Sequence, residues 1–348
     1  MLFLRSVRED DLETLYALSL STGGGLTTLP PSEAVLAKRI AHSIASFAAD
    51  VKEPGDEYYL FAAEETEHGE VVGTSGIFAA VGLAQPFYSY RLLHLTQQSH
   101  EPEKKVDTKL LQLVNDYAGA TEIGTLFLRP DHRRGTNGAL LSKARYLMMA
   151  GYPKRFADIV MAEIRGWVDD EGHSPFWNAI GRHFFGMDFF EADRLSGMGN
   201  SQFIADLMPK FPIYTTLLPA AAQAVIGKPH DAARGAVRLL TEEGFRFGGA
   251  VDIFDGGPCY EVPRKDIQTV RATRRRKVFD IADLDGTGNG DVRMVASSRL
   301  PDFRITRSPI ADRGGRGIVL DRRAAEVLGI SVGERVLTAP LRRKRNRV

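Results

Sequence analysis

One cysteine, Cys259, stands in a chain of 348 residues. That excludes an internal disulfide framework and a cysteine-built zinc site, and makes a reducing compartment the natural setting. Net charge is just as scarce: 45 basic side chains face 44 acidic ones, a formal +1. A dedicated nucleic-acid binder carries a strong basic excess, so no nucleic-acid partner is expected. No apolar run approaches the roughly 18 residues that span a bilayer, so no membrane partner is expected either. The opening stretch, Met1-Leu2-Phe3-Leu4-Arg5, turns charged at once and lacks the apolar region and cleavage site of a signal peptide. The expectation is a soluble cytoplasmic protein. What is present is ordinary for a globular chain, 43% hydrophobic and 26% charged, and the length suits two domains or one elaborated domain.

The apolar pattern alternates between strand and helix. Leu2–Arg5, Tyr58–Glu64, Val71–Val81, Tyr88–Leu95, Ala120–Leu128, Ile159–Arg165 and Phe247–Phe254 read as strands. Leu12 to Leu18, Ser32 to Ala49, Ala139 to Ala150 and Phe176 to Phe185 read as helices, and Gln202 to Gly248 as mostly helical pieces broken by prolines. Arg264 to Lys277 is strongly basic and reads as a surface connector. From Val278 short strands and Gly/Asp turns suggest a small β-rich module, and Arg342 to Arg347 a frayed tail. The fold class is α/β (α+β), a mixed sheet flanked by helices. The expected segments are 1–200, a helical and strand extension at 201–275, and the β-rich module at 276–348.

The most informative stretch is a strand, Thr125 to Leu128, feeding a basic glycine loop, His132-Arg133-Arg134-Gly135-Thr136-Asn137-Gly138, and then the helix at Leu140-Leu141. Free N–H groups at a helix start and two arginines suit a pyrophosphate. The loop lacks the Gly-Lys-Ser/Thr of a Walker loop and the later acid of a dinucleotide fold. Taken alone it is equally an ordinary strand–turn–helix connection.

The loop and helix resemble the acyl-CoA motif of the GNAT N-acyltransferases, Arg/Gln-x-x-Gly-x-Gly/Ala followed by Leu-Leu. Arg133 and Gly138 match its ends, while Thr136 replaces the middle glycine and Gly135 stands one place earlier. A closer resemblance runs from the N-terminus to about Val270. Thr22-Gly23-Gly24-Gly25-Leu26-Thr27, Tyr88-x-Tyr90-Arg91, Asn137-Gly138-x-Leu140-Leu141-Ser142-Lys143, Ala162-Glu163-x-Arg165-Gly166, Ser174-Pro175-Phe176-Trp177, Pro212-Ile213-Tyr214-Thr215 and Asp252-Ile253-Phe254-Asp255-Gly256-Gly257-Pro258 resemble blocks of the arginine N-succinyltransferase family.

The resemblance implies a GNAT-type fold and transfer of succinyl from succinyl-CoA to the α-amine of L-arginine, the first step of arginine breakdown. The thioester is already activated, so no metal and no cofactor beyond the co-substrate is expected; orientation, an oxyanion site and proton handling suffice. The resemblance places succinyl-CoA at Leu126, Leu128, Arg133, Arg134, Gly135, Asn137 and Gly138, with Leu126 the main contact, and aligns the family's proton donor with His230. Guanidinium recognition needs carboxylates. Glu163, Arg165, Asp252 and Asp255 are the arginine-binding candidates, and Asp188 and Glu261 are further candidate acids. Arg165 or Arg91 would meet a substrate carboxylate. His132 reads as a phosphate neighbour, His183 as a packed core histidine, and Cys259 as inert. Asp283 to Asp291 has part of a calcium-loop spacing, but its twelfth position is Met294, so a glycine-rich turn is the reading. Two alternatives stay open: an arginine/ornithine succinyltransferase subunit within a homo- or hetero-oligomer, and a non-catalytic amino-acid- or CoA-binding regulator.

Overall fold

The computed structural model describes residues 1–22, 26–169, 171–197, 206–284 and 291–341. Gly23 to Gly25, Asp170, residues 285–290 of the calcium-like spacing and the basic tail from Arg342 lie outside the described residues.

The chain begins with β1 (Leu2–Ser6), buried along its whole length, then α1 (Leu12–Leu20) and α2 (Glu33–Ala48). Leu36, Ile40 and Phe47 recur at helical spacing and form the buried face of α2. On that face Ser43 and Ser46 accept hydrogen bonds from the backbone N–H groups of Leu60 and Tyr58, 2.9 and 3.1 Å long. Strands β2 (Tyr58–Glu65) and β3 (Val71–Phe78) follow as an antiparallel pair.

β4 (Ser89–His100) and β5 (Glu103–Val114) pair over twelve positions, from Ser89 with Val114 to His100 with Glu103. β4 runs five residues past the expected Leu95, and β5 was not foreseen. Then come β6 (Thr121–Leu128), α3 (Asn137–Gly151) and β7 (Ile159–Glu163). The single helix expected over Phe176–Phe185 is two, α4 (Pro175–Ala179) and α5 (Gly181–Phe185), because Ile180 leaves helical geometry at φ −127° and ψ −77°. α6 (Phe189–Gly197) and the short β8 (Ile213–Tyr214) precede α7 (Ala220–Val225) and α8 (Arg234–Glu243). The stretch expected to be mostly helical is thus more broken than its composition suggests; Pro219, for one, sits at the N-cap of α7.

β9 (Arg246–Val251), β10 (Pro258–Pro263) and α9 (Gln268–Ala272) lead to β11 (Arg274–Ala282). The basic run Arg274–Lys277 is therefore not a connector. It pairs antiparallel with residues 335–338, and its side chains are largely exposed. β12 (Asp291–Ala296), β13 (Arg304–Asp312), β14 (Ile318–Asp321), α10 (Arg322–Leu328) and β15 (Arg335–Pro340) complete the chain.

The chain divides into two compact units, each built from separated segments: residues 1–79, 123–158 and 263–348, and residues 80–122 with 159–262. These units do not coincide with a consecutive division at 200 and 275. In the first unit the strand order runs β12-β15-β11-β14-β13-β1-β2-β3-β6, and β12 also pairs with β13. The five C-terminal strands therefore close into a ring, which leaves no open edge among them. Its core is Val278, Val295, Ile310, Ile318, Leu320 and Val336 with Leu328 of α10. In the second unit the order is β7-β10-β9-β4-β5-β8. Its core centres on Trp177, which stacks on Phe185 and Phe254 at 5.3 and 5.6 Å between ring centres.

Candidate active site

In the first unit, β6 carries an irregularity one residue before Leu126. Thr125 has φ +52°, a left-handed conformation that a β-branched residue adopts only under constraint. Three hydrogen bonds supply it: the Thr125 N–H donates to Thr28 Oγ1 (3.1 Å), its carbonyl accepts from Thr74 Oγ1 (2.8 Å), and its hydroxyl pairs with that of Tyr58 (3.0 Å). Leu126 follows half-buried, between Thr125 and Phe127, which are both buried. Leu126 is thus not plain core, whereas the Leu128 side chain is buried.

The loop after β6 turns back on the strand. Arg133 donates through Nε to the Leu128 carbonyl at 2.7 Å and lies over the Phe127 ring. Arg133 and Arg134 are exposed, and Gly135 takes φ +59°, a conformation that favours glycine. Thr136 is the N-cap of α3 but makes no side-chain capping bond, and the first turn of α3 holds no acidic residue. Asn137 is buried; its Nδ2 donates to the His132 carbonyl at 3.0 Å, while its Oδ1 has no partner. A side chain at Gly138 would meet no neighbouring atom within 4 Å, so glycine there leaves open space. Two exposed guanidiniums with no acid in ion-pair contact among the described residues, beside the start of a fifteen-residue helix that has no side-chain cap, are an arrangement that suits an anion.

The second unit holds the expected acids. Glu163 ends β7, and Asp252 and Asp255 stand in the turn between β9 and β10. Asp252 Oδ1 accepts the N–H groups of Phe254 and Asp255 at 2.7 and 2.9 Å, shaping the turn. Asp255 accepts from Gly166 N–H (2.6 Å) and Gly257 N–H (2.8 Å), so it holds two segments together. A Cβ on Gly166 would lie 2.5 Å from the Asp255 carbonyl oxygen, which is why glycine stands there.

Burial, followed by the negative charge of Asp252, Glu122 and Asp255, pushes the Glu163 carboxyl well above the usual range. Burial and the neighbouring Asp252 push Asp255 well up too, and burial raises Asp252 itself. Asp193 on α6 is raised to about 7 by burial and by Asp252, against an opposing effect of Arg165. Glu163, Asp252 and Asp193 each keep a partly open face, while Glu122 and Asp255 are closed off. Among the described residues, five carboxyl groups, two buried and three half-buried, with the Arg165 guanidinium beside them, form a region that favours an added cation.

His230 belongs to the same unit and is tied to the same segments. Its backbone N–H donates to the Arg165 carbonyl at 2.8 Å, next to a bridge between Gly166 and Pro229. Nearby, the Gly227 N–H donates to the Gly256 carbonyl at 2.8 Å. The half-buried imidazole accepts the Ala232 N–H at Nδ1, 3.1 Å away. A nitrogen that accepts carries no proton, so the neutral ring holds its proton on Nε2.

Comparisons with known proteins fall on one family. A family model described as arginine N-succinyltransferase beta subunit matches residues 2–269, and one for that subunit's C-terminal domain matches residues 274–340. The chain belongs to the arginine N-succinyltransferase beta-subunit family. A protein of Yersinia pestis (strain Pestoides F) called arginine N-succinyltransferase is 40% identical over 342 residues, covering 97% of each chain. The arginine N-succinyltransferase subunit beta of Pseudomonas aeruginosa is 42% identical, covering 98% of each. The solved structure of arginine/ornithine succinyltransferase subunit AI from Pseudomonas aeruginosa superposes with a TM-score of 0.89 at 34% identity, over 99% of both chains.

Within this arginine N-succinyltransferase family fold, several other expectations shift. His132, expected beside a phosphate, is buried with its ring 3.3 Å from Glu65 and 3.0 Å from Asp131. His183 is exposed rather than packed. Asp188 caps α6 through Glu191 N–H at 2.8 Å, and Glu261 accepts the Tyr117 hydroxyl at 2.8 Å. Arg91 is engaged by Asp116 and by the Gly248 carbonyl. Cys259 is buried, its thiol pushed well up by burial and by Glu163, in keeping with an inert role. Among the described residues, Asp169, Glu171 and His173 come close enough to share an ion, and His173 is already paired with both acids on an exposed turn. No helix among the described residues is long and apolar enough to cross a membrane. Sequence reasoning missed Glu122 and Asp193, whose only signal was charge, and Arg307, whose Nη1 donates to the Thr136 hydroxyl at 2.6 Å.

Proposed function

We propose that the protein transfers the succinyl group of succinyl-CoA to the α-amino group of L-arginine, by direct attack of the amine on the thioester. The observation that carries this reading is the set of buried and half-buried carboxyls Glu122, Glu163, Asp193 and Asp252, with Asp255 behind it, joined through Arg165 and Gly166 to His230. Such a set suits a guanidinium, which offers several N–H donors and a permanent charge.

The deprotonated α-amine adds to the thioester carbonyl. Backbone N–H groups of the strand at Leu126 stabilise the oxyanion. Addition leaves one proton too many on the attacking nitrogen; collapse expels the CoA thiolate, that proton ends on its sulfur, and His230 is the proton donor, its Nε2–H facing the sulfur and relaying the proton to it. The pyrophosphate of the donor rests on the loop of Arg133, Arg134, Gly135, Asn137 and Gly138, and Arg165 meets a substrate carboxylate. A thioester is already activated, so the reaction uses succinyl-CoA as co-substrate and no metal or further cofactor.

Family membership at 40% identity over nearly the whole chain supports the same reading. The relatives' names, subunit beta and subunit AI, support action within an assembly of subunits, and the latter protein's arginine/ornithine description keeps ornithine as a second acceptor. The balanced charge and single buried cysteine suit a cytoplasmic enzyme.

The test is thiol release from purified protein with succinyl-CoA, comparing L-arginine, L-ornithine and L-lysine, with acetyl-CoA as the donor control. Release that needs both arginine and succinyl-CoA supports the proposal. Preference for ornithine moves the assignment to the second acceptor, and silence with every pair opposes the reading for the isolated chain.

A further inference from the structure

We infer that Arg307, carried by β13 in the closed C-terminal ring, is a phosphate ligand of the acyl-CoA loop at the start of α3; this rests on the acyl-CoA reading above. Arg307 and the loop belong to the same compact unit. Its Nη1 donates to Thr136 Oγ1 at 2.6 Å and lies 3.8 Å from where a Cβ on Gly135 would stand. The guanidinium is thereby fixed on the two residues that open α3.

The charge balance of this side chain points outside the chain. Several half-buried or buried arginines have acids in contact, Arg5 with Asp11, Arg91 with Asp116, Arg276 with Asp312 and Arg304 with Asp302, while buried Arg145 and Arg155 are met instead by several backbone carbonyls and a hydroxyl each. Half-buried Arg307 has only a neutral hydroxyl, and among the described residues no carboxylate lies within ion-pair distance. A partly desolvated cation without a counter-charge calls for an anion. Arg133 and Arg134 share the loop and also lack an acid in ion-pair contact, although Arg134 is near enough to Glu65 to help hold its carboxyl down. Asn137 gives a second, independent sign. It is 7% exposed, and its Oδ1 has no donor. The start of α3 thus lacks both an anion and a hydrogen-bond donor. A phosphate-bearing ligand whose attached chain carries amides supplies both.

The ring consequently contributes to donor binding and is more than a structural appendix. The test is Arg307→Gln. Inhibition constants for CoA and for phosphate-free pantetheine are measured against succinyl-CoA, with KM and kcat. The expected result is a rise of about tenfold in KM for succinyl-CoA and in the constant for CoA, a much smaller change in kcat, and an unchanged constant for pantetheine. Arg307→Lys should recover part of the loss, since it restores charge without the fork. CoA inhibition equal to wild type, or an equal loss for pantetheine, overturns the inference. A wild-type protein that is not inhibited by CoA overturns the acyl-CoA reading itself, so the two failures are distinguishable. If Arg307→Gln does not fold, Thr136→Val releases the guanidinium from its anchor and should weaken CoA about threefold with pantetheine unaffected. Unchanged CoA inhibition there also counts against the inference.

Discussion

The backbone N–H of His230 donates to the carbonyl of Arg165 across 2.8 Å, and the next residue, Gly166, donates to the Asp255 carboxylate across 2.6 Å. A single peptide unit, Arg165–Gly166, therefore ties His230 on one side to a buried acid on the other. The imidazole is also held by its own helix-capping bond from the Ala232 N–H to Nδ1, which leaves Nε2 as the donor of the neutral ring. Position and tautomer are both set by main-chain contacts, so neither depends on a neighbouring side chain.

His230→Asn separates capping from acid–base chemistry, because its amide oxygen can still accept the Ala232 N–H. We expect kcat to fall about 10²- to 10⁴-fold in both His230→Asn and His230→Ala, with CoA binding by calorimetry unchanged. The melting temperature should be closer to wild type for the asparagine variant. Turnover near wild type in His230→Asn would remove the ring from the mechanism.

Gly166→Ala places a methyl group 2.5 Å from the Asp255 carbonyl oxygen. The two segments must part, and we expect about 1–3 kcal/mol of lost stability in urea unfolding together with reduced activity. A variant as stable and active as wild type would show that the contact yields freely.

Much of this arrangement was legible in the sequence. The strand–loop–helix around Arg133 to Gly138 showed itself because glycines, arginines and an apolar helix pattern are local signals. Glu163, Asp252 and Asp255 could be named as acids, but their gathering depends on the end of β7 meeting the β9–β10 turn about ninety residues later in the chain. β5 was hidden because Glu103 to Asp107 is exposed and mostly charged, so no apolar alternation marked it. Arg276 looked like part of a solvated run, yet it lies in a strand and is paired with Asp312. Arg307 stands 171 residues from Thr136, a separation no spacing argument can cross.

Arginine binding should release protons. Burial and Asp252 raise the Asp193 carboxyl from 3.8 to about 7, and Glu163 and Asp255 are pushed up as well. Raised carboxyl groups contribute stability that is full below about pH 4 and is lost as pH rises through about 7 for Asp193, because the folded protein holds protons that the unfolded chain has shed. A bound guanidinium favours the ionised forms and reverses that loss. Calorimetry at pH 6 to 8 in buffers of different ionisation enthalpy should show proton release with arginine and tighter binding at higher pH. Asp193→Asn should reduce the release, whereas proton uptake on binding would contradict the electrostatic reading.

Thr125→Val keeps the shape of the side chain and removes its hydroxyl bond to Tyr58 while φ stays at its unfavourable value. We expect a loss of about 1–2 kcal/mol in stability. A lower kcat with little change in KM for arginine should accompany it, as the backbone at Leu126 loses its fixed setting. An unchanged kcat would show that the irregularity at Thr125 does not serve the reaction.

The most direct measurement is the structure of the product. Wild-type protein incubated with succinyl-CoA and L-arginine should yield, by fragmentation mass spectrometry, one new species bearing succinyl on the α-nitrogen with the guanidinium untouched, in amounts matching the CoA released. Succinyl on a side-chain nitrogen, or no arginine-dependent product at all, would contradict the account.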